Sequence, residues 1–157
     1  MKNRSLLMIP GPIEFDPAVL AALGAPTTSH LAPNFIDAFG QALDRMREVF
    51  QCREGQPFVL AGSGTLAMDC AGANLVEPGD KALVINTGYF SERFAVLLAR
   101  YGAQVTQVDA AVGGRPALED VQAALQRERY KLVTITHVDT STAVIADVPG
   151  IAALARS

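Results

Sequence analysis

The apolar positions of this chain change rhythm part-way along, and the change marks where one kind of structure gives way to another. Early on they fall at helical spacing. Asp16-Pro17 has the form of an N-cap followed by proline at the first helical position, so a short helix is expected from there to Gly24. Ala25 to Pro33 is irregular. Asn34 is then expected to cap a longer helix with Ile36, Phe39, Leu43, Met46 and Phe50 on one face. Gly55-Gln56-Pro57 closes that segment. Beyond it, short apolar runs alternate with amphipathic stretches. Strands are expected at Phe58 to Ala61, Ala82 to Ile85, Gln104 to Val108 and Leu132 to Thr136. Helices are expected at Thr65 to Val76, at Phe90 to Tyr101 with Gly102 as the stop, through Leu118, Val121 and Leu125, and from Pro149 through Leu154. Continuous apolar strands alternating with helices predict an α/β fold with a mostly parallel sheet covered on both faces.

In such sheets ligands gather at the carboxyl ends of the strands. The loops expected there are Gly62–Thr65, Thr87–Phe90 and His137–Thr142, all rich in glycine or hydroxyls. Gly62-Ser63-Gly64-Thr65 joins an apolar run to a helix. Its glycines let backbone approach a ligand, and its hydroxyls sit beside free helix N–H groups, which suits a phosphate monoester. It is neither GxxxxGK[ST] nor GxGxxG, because Ala67 stands where the third glycine would be. Phe90 could pack over a flat ring or simply begin the apolar face of its helix. His137, Asp139, Thr140 and Ser141 offer donors and acceptors to a ring substituent. No GxSxG elbow accompanies them, and His30 and His137 lack metal-ligand spacing.

Composition narrows the field. Across 157 residues, 50% are hydrophobic and 18% charged, with a net charge of -3, which favours one folded domain over disorder. No basic patch is large enough to track nucleic acid, and Arg127, Arg129 and Lys131 suit a solvated helix end. No apolar run reaches a membrane span, and Ser5 to Ile9 before Pro10 is too short for a secretory signal, so a secreted protein is not expected. Cys52 and Cys70 form no CxxC, and Cys70 is expected to be a buried small hydrophobe.

Six stretches carry a family resemblance. They are Leu7–Pro12, Ser29–Phe35, Gly62–Leu66, Thr87–Phe94, Tyr101–Val105 and Thr136–Ser141. In order and spacing the chain resembles the N-terminal part of class V (fold type I) pyridoxal-phosphate aminotransferases, and most closely the fungal-type alanine–glyoxylate aminotransferases. The resemblance implies part of a three-layer αβα large domain at residues 34–157, cut before its sheet is complete, preceded by an N-terminal arm and substrate-side loop at 1–33. It implies pyridoxal 5′-phosphate as cofactor, held by Ser63, Gly64 and Thr65 at the phosphate and by Phe90, Asp139 and Thr140 around the ring. Relatives often have tryptophan where this chain has Phe90. Gly11 matches a loop over the substrate, and His30 a residue near the mouth of the site.

The implied reaction of the full-length parent is alanine plus glyoxylate to pyruvate plus glycine, in a homodimer. Serine–glyoxylate, serine–pyruvate or 3-hydroxykynurenine transamination is the nearest alternative, and a non-catalytic remnant a further one. The family's lysine that bonds the cofactor, its aspartate at the pyridine nitrogen and its substrate-carboxylate arginine match nothing here. The three lysines, Lys2, Lys81 and Lys131, fall elsewhere, so the chain alone is expected to be inactive. The resemblance leaves peroxisome, mitochondrion and cytosol open.

Overall fold

The computed structural model describes residues 5–156. Backbone contacts divide the chain into two units, residues 1–61 and 62–157.

The first unit carries α1 (Pro17–Leu23) and α2 (Pro33–Val49). The Asp16 side chain accepts from the Ala18 N–H at 2.8 Å, and the helix ends at Gly24, as the sequence suggests. α2 begins two residues earlier than expected. Its N-cap is Ala32, whose side chain has no acceptor, and Asn34 lies inside the first turn. Proline at the first helical position, with its fixed φ and no N–H to satisfy, starts the helix in place of a side-chain cap. Neither helix has a buried residue. The expected strand at 58–61 does not form. Phe58, Val59 and Leu60 are 81%, 53% and 61% exposed and belong to no sheet. An apolar β-prone run becomes a strand only where a neighbour supplies a ladder and a face to bury, and this run has neither.

The second unit is the α/β body. α3 (Gly64–Leu75) leads to β1 (Lys81–Ile85), α4 (Tyr89–Arg100), β2 (Gln104–Val108), α5 (Leu118–Arg127) and β3 (Leu132–Ile135). A hairpin of β4 (Val138–Asp139) and β5 (Val144–Ile145) precedes α6 (Val148–Arg156). The sheet order is β2-β1-β3, all parallel, with Leu83 opposite Thr106 on one side and Val133 on the other. β1 is central and its run Ala82–Ile85 is fully buried, because both its faces are covered. Leu83 and Ile85 point to a cluster with Val121 and Ala124 of α5 and Ile151 of α6. Ala82 and Val84 point the other way, to Ala95 and Leu98 of α4. The period-two alternation of one strand thus feeds two helical layers, giving the three-layer arrangement implied by the sequence. Cys70 of α3 is half-buried rather than buried.

The strands' amino ends are tied by charge. Lys131 Nζ donates to Asp80 Oδ2 at 2.6 Å, and Lys81 pairs with Glu128 at 3.1 Å. Lys131 holds the Asp80 carboxyl below its ordinary range, and Asp80 in turn raises the Lys131 ammonium.

Candidate functional site

The loops at the carboxyl ends of β1 and β3 meet, and they meet on a carboxylate. Asp139 is fully buried at the end of β4. Its Oδ2 accepts from the Phe90 N–H at 3.2 Å, the Ser91 N–H at 3.4 Å and the Ser91 hydroxyl at 3.4 Å. Its Oδ1 accepts from the Ser141 N–H at 3.1 Å and the Ser141 hydroxyl at 2.6 Å. Ser141 Oγ also accepts from the Tyr89 N–H at 3.0 Å, and the Thr142 hydroxyl donates to the Thr87 carbonyl at 2.7 Å. The first N–H groups of α4 are therefore all capped from the hairpin. A negative charge there opposes the positive end of the helix dipole and makes charge-assisted hydrogen bonds. On the other side, Asn86 Nδ2 donates to Asp109 Oδ1 at 2.7 Å, linking the ends of β1 and β2.

Gly88 lets the two loops close. A Cβ there would lie 2.7 Å from Ser141 Oγ, 2.8 Å from Thr142 Cγ2 and 2.9 Å from Asp139 Cγ. The sequence marked His137–Thr142 as a polar loop. The structure folds it into the short β4–β5 hairpin, with Ala143 at φ 59° in the turn. The β-branched pair Val144-Ile145 was the one available signal for its return strand. Ser91, Ser141, Thr87 and Thr142, which build the network, were not singled out by spacing as a set. They come together only when β1 and β3 do.

The turn into α3 is different. Ser63 is its N-cap, and Ser63 Oγ accepts from the Leu66 N–H at 3.3 Å. The Gly64 and Thr65 N–H groups and the Thr65 hydroxyl have no partner among the described residues. α3 lies on α4 through Tyr101, whose hydroxyl donates to Asp69 at 3.0 Å. That bond, with partial burial, pushes the phenol's pKa up.

Phe90 is half-buried, and its ring meets Tyr89 edge-on at 5.2 Å. Thr140 is exposed at the hairpin turn, beside Asp139. Ser63, Gly64, Thr65, Phe90, Asp139 and Thr140 all belong to the second unit. Gly11 and His30 belong to the first, where both are exposed, and the Gly11–Pro12 peptide is cis. Lys81 and Lys131 lie at the amino ends of β1 and β3, opposite these loops, and both are paired with carboxylates.

Residues 19–157 match the family described as aminotransferase class-V. The chain belongs to that family. Proteins of this class, with their fold type I relatives, work with pyridoxal phosphate. The chain is similar to alanine–glyoxylate aminotransferase 1 of Saccharomyces cerevisiae, at 43% identity over 96% of this chain and 41% of the yeast protein. Among solved structures it resembles an alanine–glyoxylate aminotransferase from a Nostoc species, with a TM-score of 0.89, 34% identity and coverage of 96% and 40%. It also resembles an aspartate aminotransferase of subgroup IV from Thermus thermophilus, with a TM-score of 0.88, 36% identity and coverage of 97% and 42%. The chain spans about two-fifths of the length of these relatives.

Proposed function

We propose that this chain supplies the phosphate- and ring-binding part of a pyridoxal-phosphate-dependent aminotransferase that passes the amino group of alanine to glyoxylate. The observation that carries the cofactor site is the contrast between two helix N-termini. α4 is already filled by the Asp139 carboxylate, whereas α3 presents unpartnered N–H groups at Gly64 and Thr65 beside two hydroxyls. A phosphate dianion gains hydrogen bonds and a favourable dipole at α3 and meets a negative charge at α4. The residues present therefore fit the cofactor's phosphate. When bound, pyridoxal phosphate supplies the carbonyl that takes up an amino group and the ring that draws off electrons.

In this reading Ser63, Gly64 and Thr65 bind the phosphate, Phe90 covers one ring face, and Thr140 offers a hydroxyl at the ring's edge. For Gly11 and His30 the same reading keeps only the substrate-side roles that the family resemblance implies. No lysine of the second unit is placed to move a proton at these strand ends, so the chain alone is inactive in transamination. Alanine as donor and glyoxylate as acceptor rest on the yeast and Nostoc relatives. The Thermus relative is named for aspartate, so donor choice lies outside what this part of the chain shares with it. A homodimer belongs to the same reading, supported by Phe35, Ile36 and Phe39, which α2 leaves exposed.

The test uses pyridoxine 5′-phosphate, which lacks the aldehyde and so cannot label surface lysines. Equilibrium dialysis should give saturable binding that inorganic phosphate competes away. Thr65→Val should weaken both ligands by roughly 10-fold or more, the loss of a hydrogen bond to a charged group. No saturable binding, or binding indifferent to Thr65→Val, would sink the proposal.

A further inference from the structure

Asp139 sits in sequence among residues that match cofactor ligands, but the structure gives its carboxylate no free face. It is fully buried, both oxygens accept hydrogen bonds from Phe90, Ser91 and Ser141, and no cation pairs with it among the described residues. We propose that Asp139 is a positioning residue: it clamps the start of α4 to the β4–β5 hairpin and so sets Phe90 and Thr140 against the cofactor ring, without touching the cofactor.

Four features converge on this role. Phe90 is one hydrogen bond from the carboxylate through its own N–H, and Thr140 is the next residue in the chain. The two proposed ring-side groups thus share one anchor. Ser141 extends the clamp to Tyr89, so the turn that leads into Phe90 is held at two successive N–H groups. Gly88 leaves the space that a Cβ would take from Ser141, Thr142 and Asp139 at once. Finally, the carboxylate fills the anion-binding end of α4, so that of the α3 and α4 N-termini only the α3 one is open to a phosphate. A neutral asparagine keeps the shape but has one acceptor oxygen instead of two. Its NH2 group would face N–H or O–H donors on one side of the clamp. On the Oδ2 side the Phe90 and Ser91 N–H groups, or on the Oδ1 side the Ser141 N–H, would then be stranded, and buried donors without partners are costly enough to move.

The inference rests on the pyridoxal-phosphate site proposed above, and its test separates the two. The chain and Asp139→Asn are titrated with pyridoxine 5′-phosphate and, separately, with inorganic phosphate. Circular dichroism of the bound ring is recorded alongside. Asp139→Asn should weaken pyridoxine phosphate by about 10-fold or more, as expected when a charge-assisted hydrogen bond is lost. It should also collapse the ring's dichroic band. Affinity for inorganic phosphate should stay within about twofold, because the α3 turn shares no hydrogen bond with Asp139. Ser141→Ala, which removes one arm of the clamp, should give the same split with a smaller size, and it carries the test if the asparagine variant does not fold. Equal losses for both ligands in the folded variant, or no loss for either, would overturn the positioning role while leaving the site intact. Absence of pyridoxine phosphate binding by the unmodified chain would overturn the site, and the positioning role with it.

Discussion

Gly88→Ala is the sharpest probe of how the two strand-end loops are locked together. The residue has φ 153°, and an added Cβ meets three atoms below 3.0 Å: Ser141 Oγ, Thr142 Cγ2 and Asp139 Cγ. None can swing aside freely. Ser141 Oγ and Asp139 are hydrogen-bonded to each other, and Thr142 is tied to the Thr87 carbonyl. Gly113 is the matched control, since it has φ 83° and nothing within 4 Å of its ideal Cβ. At Gly113 an alanine meets only the backbone penalty of positive φ, about 1 kcal/mol, partly offset by reduced freedom of the unfolded chain. Gly88, with φ 153° and ψ -159°, lies in a region that is essentially glycine-only, where a side chain costs about 1–3 kcal/mol, and overpacking adds roughly 1–3 kcal/mol. The expected cost is then about 3 kcal/mol against about 1 at Gly113. With a urea slope of about 2 kcal/mol per molar, the two midpoints should differ by about 1 M. Hydrogen exchange adds a local reading. The Tyr89, Phe90 and Ser91 amides should lose protection in Gly88→Ala and keep it in Gly113→Ala, because only the first pushes their acceptors away. If the two variants unfold at the same urea concentration, the close approach at Gly88 does not constrain the site.

Two further outcomes test the body of the sheet. Thr134 of β3 is buried, and its hydroxyl has no hydrogen-bond partner among the described residues, so the near-isosteric Thr134→Val should stabilise the chain by about 1 kcal/mol, seen as a higher urea midpoint; a lower midpoint would refute this. The Asp80–Lys131 pair should confer pH-dependent stability with two limbs. Asp80 has its carboxyl lowered from 3.8, so its contribution is present above that value and lost as pH falls through the lowered one. Lys131 is raised from 10.5, so its contribution is present below that value and lost as pH rises through the raised one. The Tm gap between the chain and Asp80→Asn should be widest between these limits and close at both ends; a gap constant with pH would show that the pair does not act electrostatically.

What the sequence disclosed followed from how local each signal was. Ala82–Ile85, Gln104–Val108 and the helices after them were legible because their periodicities are written in consecutive residues, and each found a partner within the chain. Phe58–Ala61 carries the same apolar signature and fails to form a strand, since strand formation depends on a neighbour that no local pattern announces. The turn into α3 was legible for the same reason that the Asp16 cap was, since both act within three residues, although the sequence pattern starts that helix at Thr65 and does not mark Ser63 as its cap. The Asp139 clamp was not, because its bonds to Phe90 and Ser91 cross 49 and 48 residues and exist only once β1 and β3 lie side by side. That difference bears directly on function. A sequence match can mark Asp139 and Thr140 together as part of a cofactor pocket, because neighbours in sequence are marked together. Burial separates them: Asp139 turns inward and anchors α4, while Thr140 stays exposed. Two adjacent residues of one motif thus differ in what they can do: hydrogen bonds occupy the Asp139 carboxylate, and Thr140 stays open to a ligand, which is why the proposed site gives the first a positioning role and the second a place beside the ring.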